Sequence, residues 1–315
     1  MMAVPVRIGF TLCCFFAAFS LFAQSAEQLI AQGDTLLAGG RSKKALDMFE
    51  AAVKVSPSAE SYSARASAWY YMRRDKEFLA DVLEALRLDS LFPEANYQRA
   101  LIAHQNAEDT SAVRYATRAL GRAGDPDQRQ RILIVRGEAF AGLGKTAQAI
   151  NDLSKGTADR MDDLDALRSL AHLQDISGDH EASLAILAKL CKIAPYDISN
   201  WSNRAFELNT LGRYEEALPV IDQALSLDKD EPIVLSNKAY ALMKLGRDAD
   251  AMEAVNRSLK VYAENSYALQ TRGMLYLRKG DREDACNDLT MAKSLGAGSE
   301  VDPLINQYCG GPGSH

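Results

Sequence analysis

The chain has 315 residues, 47% of them hydrophobic and 25% charged, with a formal net charge of −6. That is apolar material enough for two ordinary domains or one elongated array, and too much for a disordered chain. The charge is mildly acidic and evenly mixed, without the clustered Lys and Arg that phosphate binding needs, which excludes nucleic acid as the main partner.

The first element is an export signal. Met1–Arg7 is short and carries one Arg, Ile8–Ala23 is apolar apart from Thr11 and Ser20, and polar sequence begins at Gln24-Ser25-Ala26-Glu27. This is the charged, apolar and small-residue order of a secretory signal peptide, here residues 1–23. Cleavage is expected after Ala23, with the bond after Ser25 nearly as suitable. The apolar run is shorter than the ~20 residues of a spanning helix, so a retained anchor is the weaker alternative. No membrane insertion is expected after cleavage, and the destination is the periplasm or the exterior. Cys13-Cys14 lie inside the apolar run, which argues against a lipid anchor. Loss of Arg7 leaves 35 basic against 42 acidic residues, or −7. Of the remaining cysteines, Cys191 and Cys286 fall on apolar helix positions and read as small buried hydrophobes; pairing of Cys286 with Cys309 stays open.

From Ala26 the chain repeats. Blocks begin at Ala26, Ala59, Pro93, Gln130, Leu164, Ile198, Pro232 and Ser266. The eighth residue of each is Gly or Ala (Gly33, Ala66, Ala100, Gly137, Ala171, Ala205, Ala239, Gly273), and the twentieth is usually Ala. Residues 4, 7, 8 and 11 share one face of a helix, and residues 20, 24, 27 and 28 share one face of a second. Small residues at 8 and 20 let the two axes approach closely. The fifteenth is Gly in six blocks (Gly40, Gly144, Gly178, Gly212, Gly246, Gly280), with Arg73 and Ala107 in blocks two and three. A Gly there ends the first helix in a left-handed conformation. Each block is thus a helical hairpin that must stack on its neighbours to bury its apolar face.

Block six reads Trp201, Leu211-Gly212-Arg213-Tyr214-Glu215-Glu216-Ala217, Ile221 and Ala224-Leu225. This resembles the tetratricopeptide repeat family, and eight blocks in register from residue 26 to about 299 carry the resemblance. It implies an all-α, right-handed superhelical solenoid of about eight helical hairpins. Repeats one to three occupy 26–120 and repeats four to eight 130–299. A longer connection, 121–129, separates them and is either a soft junction or merely a longer loop. A capping helix is expected at 300–309 and a disordered tail at 310–315.

Little in the chain points to catalysis. Gly142 to Thr146 ends a permissive phosphate-loop pattern, but it spans a hairpin turn with no strand before it. His104, His172, His180 and His315 lack the i, i+4 spacing of a helical metal site. His172, Asp175, Asp179 and His180 cluster in sequence but straddle a turn. No catalytic residue, metal or cofactor is expected. The glycosylation patterns at Asn200 and Asn256 fall in predicted helices and read as chance. Arg at block position 7 recurs with Asp at position 23: Arg65 with Asp81, Arg136 with Asp152, Arg272 with Asp288. These positions face each other within a hairpin, so each pair is expected to form a structural ion pair.

The resemblance implies that residues 2, 5, 9, 12 and 13 of each first helix line an inner groove. Those positions include Tyr70, Tyr71, Tyr97, His104, Arg131, Arg168, His172, Phe206, Asn209, Tyr240, Lys244, Tyr267 and Arg278. Aromatic and Arg side chains are the types that anchor interfaces. Asn203 and Asn237 occupy one position of the family's clamp for a peptide C-terminus. Ser202, Phe206, Ser236 and Tyr240 stand where its other members would be, which argues against that clamp. The expected function is a non-enzymatic adaptor that binds other proteins or peptides in this groove. The alternatives are a solenoid that self-associates end to end and an accessory carbohydrate- or lipid-binding envelope protein.

Overall fold

The computed structural model describes residues 24–160 and 162–310; the expected signal segment and the tail beyond Gly310 lie outside them. Among the described residues there are seventeen α-helices and no strand. Sixteen come in hairpin order: α1 (Ala26–Ala38) and α2 (Ser42–Val55), α3 (Ala59–Tyr71) and α4 (Asp75–Leu88), α5 (Pro93–Gln105) and α6 (Asp109–Arg122), α7 (Pro126–Gly142) and α8 (Thr146–Gly156). The order continues with α9 (Leu164–Ile176) and α10 (His180–Ile193), α11 (Ile198–Thr210) and α12 (Tyr214–Leu227), α13 (Pro232–Lys244) and α14 (Asp248–Val261), and α15 (Ser266–Lys279) and α16 (Arg282–Ser294). A single helix, α17 (Gly298–Tyr308), closes the series. The protein is an all-α helical repeat solenoid.

Its packing resolves into two compact units, one ending at Ala95 and one beginning at Asn96. In the first, Leu29, Ile30, Ala45, Phe49, Ala52 and Ala68 form a core between α1, α2 and α3. In the second, α7, α9, α11, α13 and α15 each pack on their own partner, and α7 packs also on α9, α11 on α13 and α13 on α15. The division does not fall at 121–129. There α6 runs to Arg122 and α7 begins at Pro126, four residues before the expected start of block four. Asp125 caps α7 by accepting from Gln128 N–H at 2.7 Å, with Pro126 in the first helical position, where its missing N–H costs nothing. Ala119, Ala123, Ile132 and Val135 share one core. Arg129 donates to the carbonyls of Leu120 and Ala123. The extra residues therefore extend a helix rather than loosen a linker.

The turn positions explain the glycines. The six at block position 15 have φ between 68° and 91°. The N–H that follows each turn residue reaches back to close the first helix, as from Arg41 to Leu36 and from Lys145 to Phe140. This bond requires the left-handed residue before it. Arg73 and Ala107 make the same turn with φ of 57° and 59°, and their following residues, Arg74 and Glu108, close the same bonds to Trp69 and Ala103. The closing bonds and the packed helices hold two L-residues where Gly is preferred.

Block positions 8 and 24 are complementary. A Cβ added to Gly137 would lie 2.7 Å from Leu153, and one added to Gly273 would lie 2.8 Å from Leu289. At Gly33 it would enter the ring of Phe49. Where position 8 is Gly, position 24 is therefore Phe or Leu, filling the volume that a methyl group would take.

At the C-terminus Val301 is fully buried against the last hairpin, with Leu304 and Ile305 packed beside it. Cys286 on α16 is disulfide-bonded to Cys309, across a separation of 23 residues. This corrects the reading of Cys286 as a small buried hydrophobe: it is half-buried and joins the cap to the last repeat. Cys191 is the free, buried cysteine among the described residues. Arg282 donates to the carbonyls of Tyr308 and Gly310, so Gly310 is held rather than part of a loose tail.

Candidate functional site

Three successive first helices of the second unit, α11, α13 and α15, form the floor of a cavity of about 430 Å³. Phe206 and Asn209 come from α11, Tyr240 from α13 and Tyr267 from α15, four of the expected groove residues. His180, Thr210, Ser236, Asn237, Gln270, Thr271 and Glu300 complete the wall. The Phe206 and Tyr267 rings meet edge to face at 6.2 Å. Asn209 Nδ2 donates to the carbonyl of Asn237 at 3.0 Å, and Asn237 Nδ2 to that of Ser202 at 3.2 Å. These buried amides cross-link α11 and α13 and set the floor rigidly. Gln270 Nε2 donates to Glu300 Oε2 at 2.8 Å, fixing the carboxylate that α17 supplies. Burial, and then the charge of Glu300, push the Tyr240 phenol above its ordinary value.

A second cavity, about 280 Å³, adjoins the first and shares Phe206 with it. Arg168 and His172 of α9 line it, with Asp175, Asn200, Asn203 and Glu207. Arg168 is held by Asp165 at 2.8 Å and Asp197 at 2.7 Å. Six of the expected groove residues thus line one trough across α9, α11, α13 and α15.

The others lie elsewhere. Arg278 donates to Met243 O at 2.7 Å and pairs with Asp248 at 2.6 Å. It lines a separate depression with Met252 and Tyr276 rather than the trough, because its long side chain reaches back to the turn of the preceding repeat. Lys244 sits over the Tyr240 ring at 5.1 Å without lining the cavity. Tyr97 packs in the core near Ala100, with Arg131 over its ring at 5.1 Å. His104 pairs with Asp109 at 2.8 Å. Tyr70 and Tyr71 belong to the first unit, where Tyr70 packs against Phe78 and Tyr71 stays exposed.

His180 was not among the expected groove residues, because it opens a second helix. Its Nδ1 lies 3.0 Å from Glu207 Oε2 and 3.3 Å from Asp175 Oδ1. These three groups are close enough to share an ion. Neither His172 nor Asp179 joins them; Asp179 instead caps α10 by accepting from Ala182 N–H. Burial pushes the Glu207 carboxyl upward, and hydrogen bonds from Ser183 and His180 pull it back.

The Arg and Asp residues of blocks two, four and eight meet in bidentate pairs. Arg65 reaches Asp81 at 2.7 Å through both nitrogens, Arg136 reaches Asp152 at 2.6 and 3.1 Å, and Arg272 reaches Asp288 at 2.6 and 2.8 Å. Arg136 also donates to Thr117 of α6, and Arg272 to Asn256 of α14. Each of these two arginines therefore ties its hairpin to the preceding one. In block three the same two positions hold Arg99 and Tyr115, with the guanidinium over the ring at 5.3 Å.

Two tetratricopeptide repeat family models match the chain, over residues 30–90 and 208–275. No curated protein matches the sequence. Among solved structures, a tetratricopeptide repeat protein from Parabacteroides merdae is 18% identical with a TM-score of 0.51, covering 91% of this chain and all of that one. YrrB, a tetratricopeptide repeat protein with an unusual peptide-binding site, is 14% identical with a TM-score of 0.56, covering 61% of this chain and 97% of its own. At these identities the likeness is one of fold. The repeat spacing, the left-handed turns, the hairpin stacking and a family-model match within each compact unit agree, and the chain is a tetratricopeptide repeat protein.

Proposed function

We propose that this protein is an exported, non-enzymatic adaptor that holds an extended or helical segment of a partner protein in the trough across α9, α11, α13 and α15. The tetratricopeptide fold is in general that of a protein–protein interaction scaffold. The observation that carries the finer reading is the convergence of Phe206, Tyr240 and Tyr267 on one cavity, continuous through Phe206 with a second. Aromatic anchors in a concave, rigid floor are the usual core of a binding surface. The peptide-binding site of YrrB is a precedent on this fold. Export is supported by the apolar run from Ile8 to Ala23 and by the Cys286–Cys309 disulfide, which suits an oxidising compartment. The cap formed by α17 covers the apolar face that end-to-end assembly through the last repeat would use, which favours the adaptor over the self-associating solenoid.

The test is affinity purification of the mature protein from the envelope fraction of its source, beside a Phe206→Ala/Tyr240→Ala variant of matching circular dichroism. Partners lost in the variant support the trough. Partners retained in full refute it and move binding to the outer faces.

A further inference from the structure

The larger cavity has one chemical bias: it offers acceptors. Asn209 Oδ1 and Gln270 Oε1 are buried and have no hydrogen-bond partner, and their residues are only 5% and 7% exposed. Their orientation is set, because each amide nitrogen already donates, to Asn237 O and to Glu300 respectively. The Ser and Thr hydroxyl protons of the wall are spent in the same way. Thr210 donates to Phe206 O, Ser236 to Ile233 O and Thr271 to Tyr267 O, leaving lone pairs. Unmatched buried acceptors of this kind are uncommon in folded proteins and call for a reason.

The charge has the same sense. Glu300 is the carboxylate of the wall, and no Lys or Arg lines the cavity. An anionic ligand would meet acceptors and a negative charge. A cation with several N–H groups would satisfy both, and the aromatic rings offer it their negative faces. The attraction already operates beside the cavity, where Lys244 Nζ lies 5.1 Å from the Tyr240 ring centroid. A guanidinium fits better than an ammonium. It is planar, so it stacks between rings; it has five donors and no acceptor; and it grips a carboxylate through two parallel bonds.

We propose that this cavity is the receptor for an arginine side chain of the bound segment, with Glu300 as counter-ion, Asn209 and Gln270 as further acceptors, and Phe206, Tyr240 and Tyr267 as aromatic walls. The proposal rests on the groove reading above and adds the chemistry of the anchor. It gives α17 a second role, since the cap supplies Glu300.

The probes are N-acetyl-arginine amide and N-acetyl-citrulline amide, which share a shape and differ in charge. Binding to the mature chain is followed by saturation-transfer NMR and titration. The arginine probe should bind at least about tenfold more tightly than citrulline, as expected for a charge-assisted bidentate contact. Glu300→Gln is exposed and isosteric, so it should keep the fold and lose about the same factor. Equal binding of the two probes overturns the proposal, as does no arginine signal at tens of millimolar, or preference for an N-acetyl-glutamate amide control. The adaptor reading is tested separately. If Phe206→Ala/Tyr240→Ala loses captured partners while the arginine probe never binds, the trough stands and its arginine specificity falls. If the probe binds and partners are unaffected, the proposal falls as well, because the arginine site is then not the anchor of the bound segment.

Discussion

Replacing Ala107 by Gly should stabilise the protein, although Gly is normally a poor choice within a helix. Ala107 has φ of 59°, a conformation that costs an L-residue roughly 1–2 kcal/mol. Glycine avoids that cost but loses more freedom on folding, by about 0.5–1 kcal/mol. The net is a gain of about 0.5–1 kcal/mol. Arg73, with φ of 57°, should respond in the same way. The reverse exchange is a clean control. A Cβ added to Gly144 or Gly246 meets nothing within 4 Å, so Gly→Ala there should lose about 1 kcal/mol through the backbone alone. Repeat arrays need not unfold in one step. The assay is therefore urea denaturation followed by amide exchange in α5 and α6, where the gain from Ala107→Gly should be local. A destabilised Ala107→Gly, or a neutral Gly144→Ala, would refute the argument that backbone sign governs this position.

Arg136→Met should cost about 3–5 kcal/mol, because it leaves Asp152, 1% exposed, buried without its partner. Arg136→Met/Asp152→Leu should recover most of that loss in the same urea denaturation series. Cys191, whose thiol burial pushes up to about 11, should hold only about a thousandth of its population as thiolate at pH 8. Native protein should then resist iodoacetamide at pH 8 and label only once pH rises towards 11 or the chain unfolds; mass spectrometry showing rapid native labelling at pH 8 would contradict the burial. Cys286→Ala, which opens a loop of 23 residues, should remove about 3 kcal/mol from the C-terminal repeat. Exchange of the α17 amides should rise first, and unchanged protection there would mean that apolar packing alone holds the cap.

The repeat could be read in the sequence because its signals are local and recur. Gly at position 15 and small residues at 8 and 20 report one hairpin, and eight copies make the period plain. The Arg and Asp spaced sixteen residues apart could be singled out for the same reason, since both belong to one hairpin. Features outside the period were harder to read. Cys309 lies beyond the last repeat, so its pairing with Cys286 depends on how α17 folds back. Arg278 occupies a groove position by count, yet its side chain is long enough to leave the groove for Met243 O and Asp248. Glu300 and His180 enter the cavity from a cap and from a second helix, which a rule about first helices does not reach. At 121–129 the Gly and Asp content suggested a loop, whereas Asp125-Pro126 starts a helix early.

The complementarity of positions 8 and 24 bears on how such an array can change over time. A Gly at position 8 leaves room for a large residue at position 24; block five packs Ala171 with Leu187, so the mismatch is sharpest at Phe49, where Ala66 or Ala100 joined to it would drive a methyl group into the ring. Recombination that cuts between the two helices of a hairpin therefore breeds misfits, while recombination in the connections between hairpins does not. The heritable unit of this chain is the whole hairpin, and lineages that lengthen or shorten it should do so in steps of one complete block.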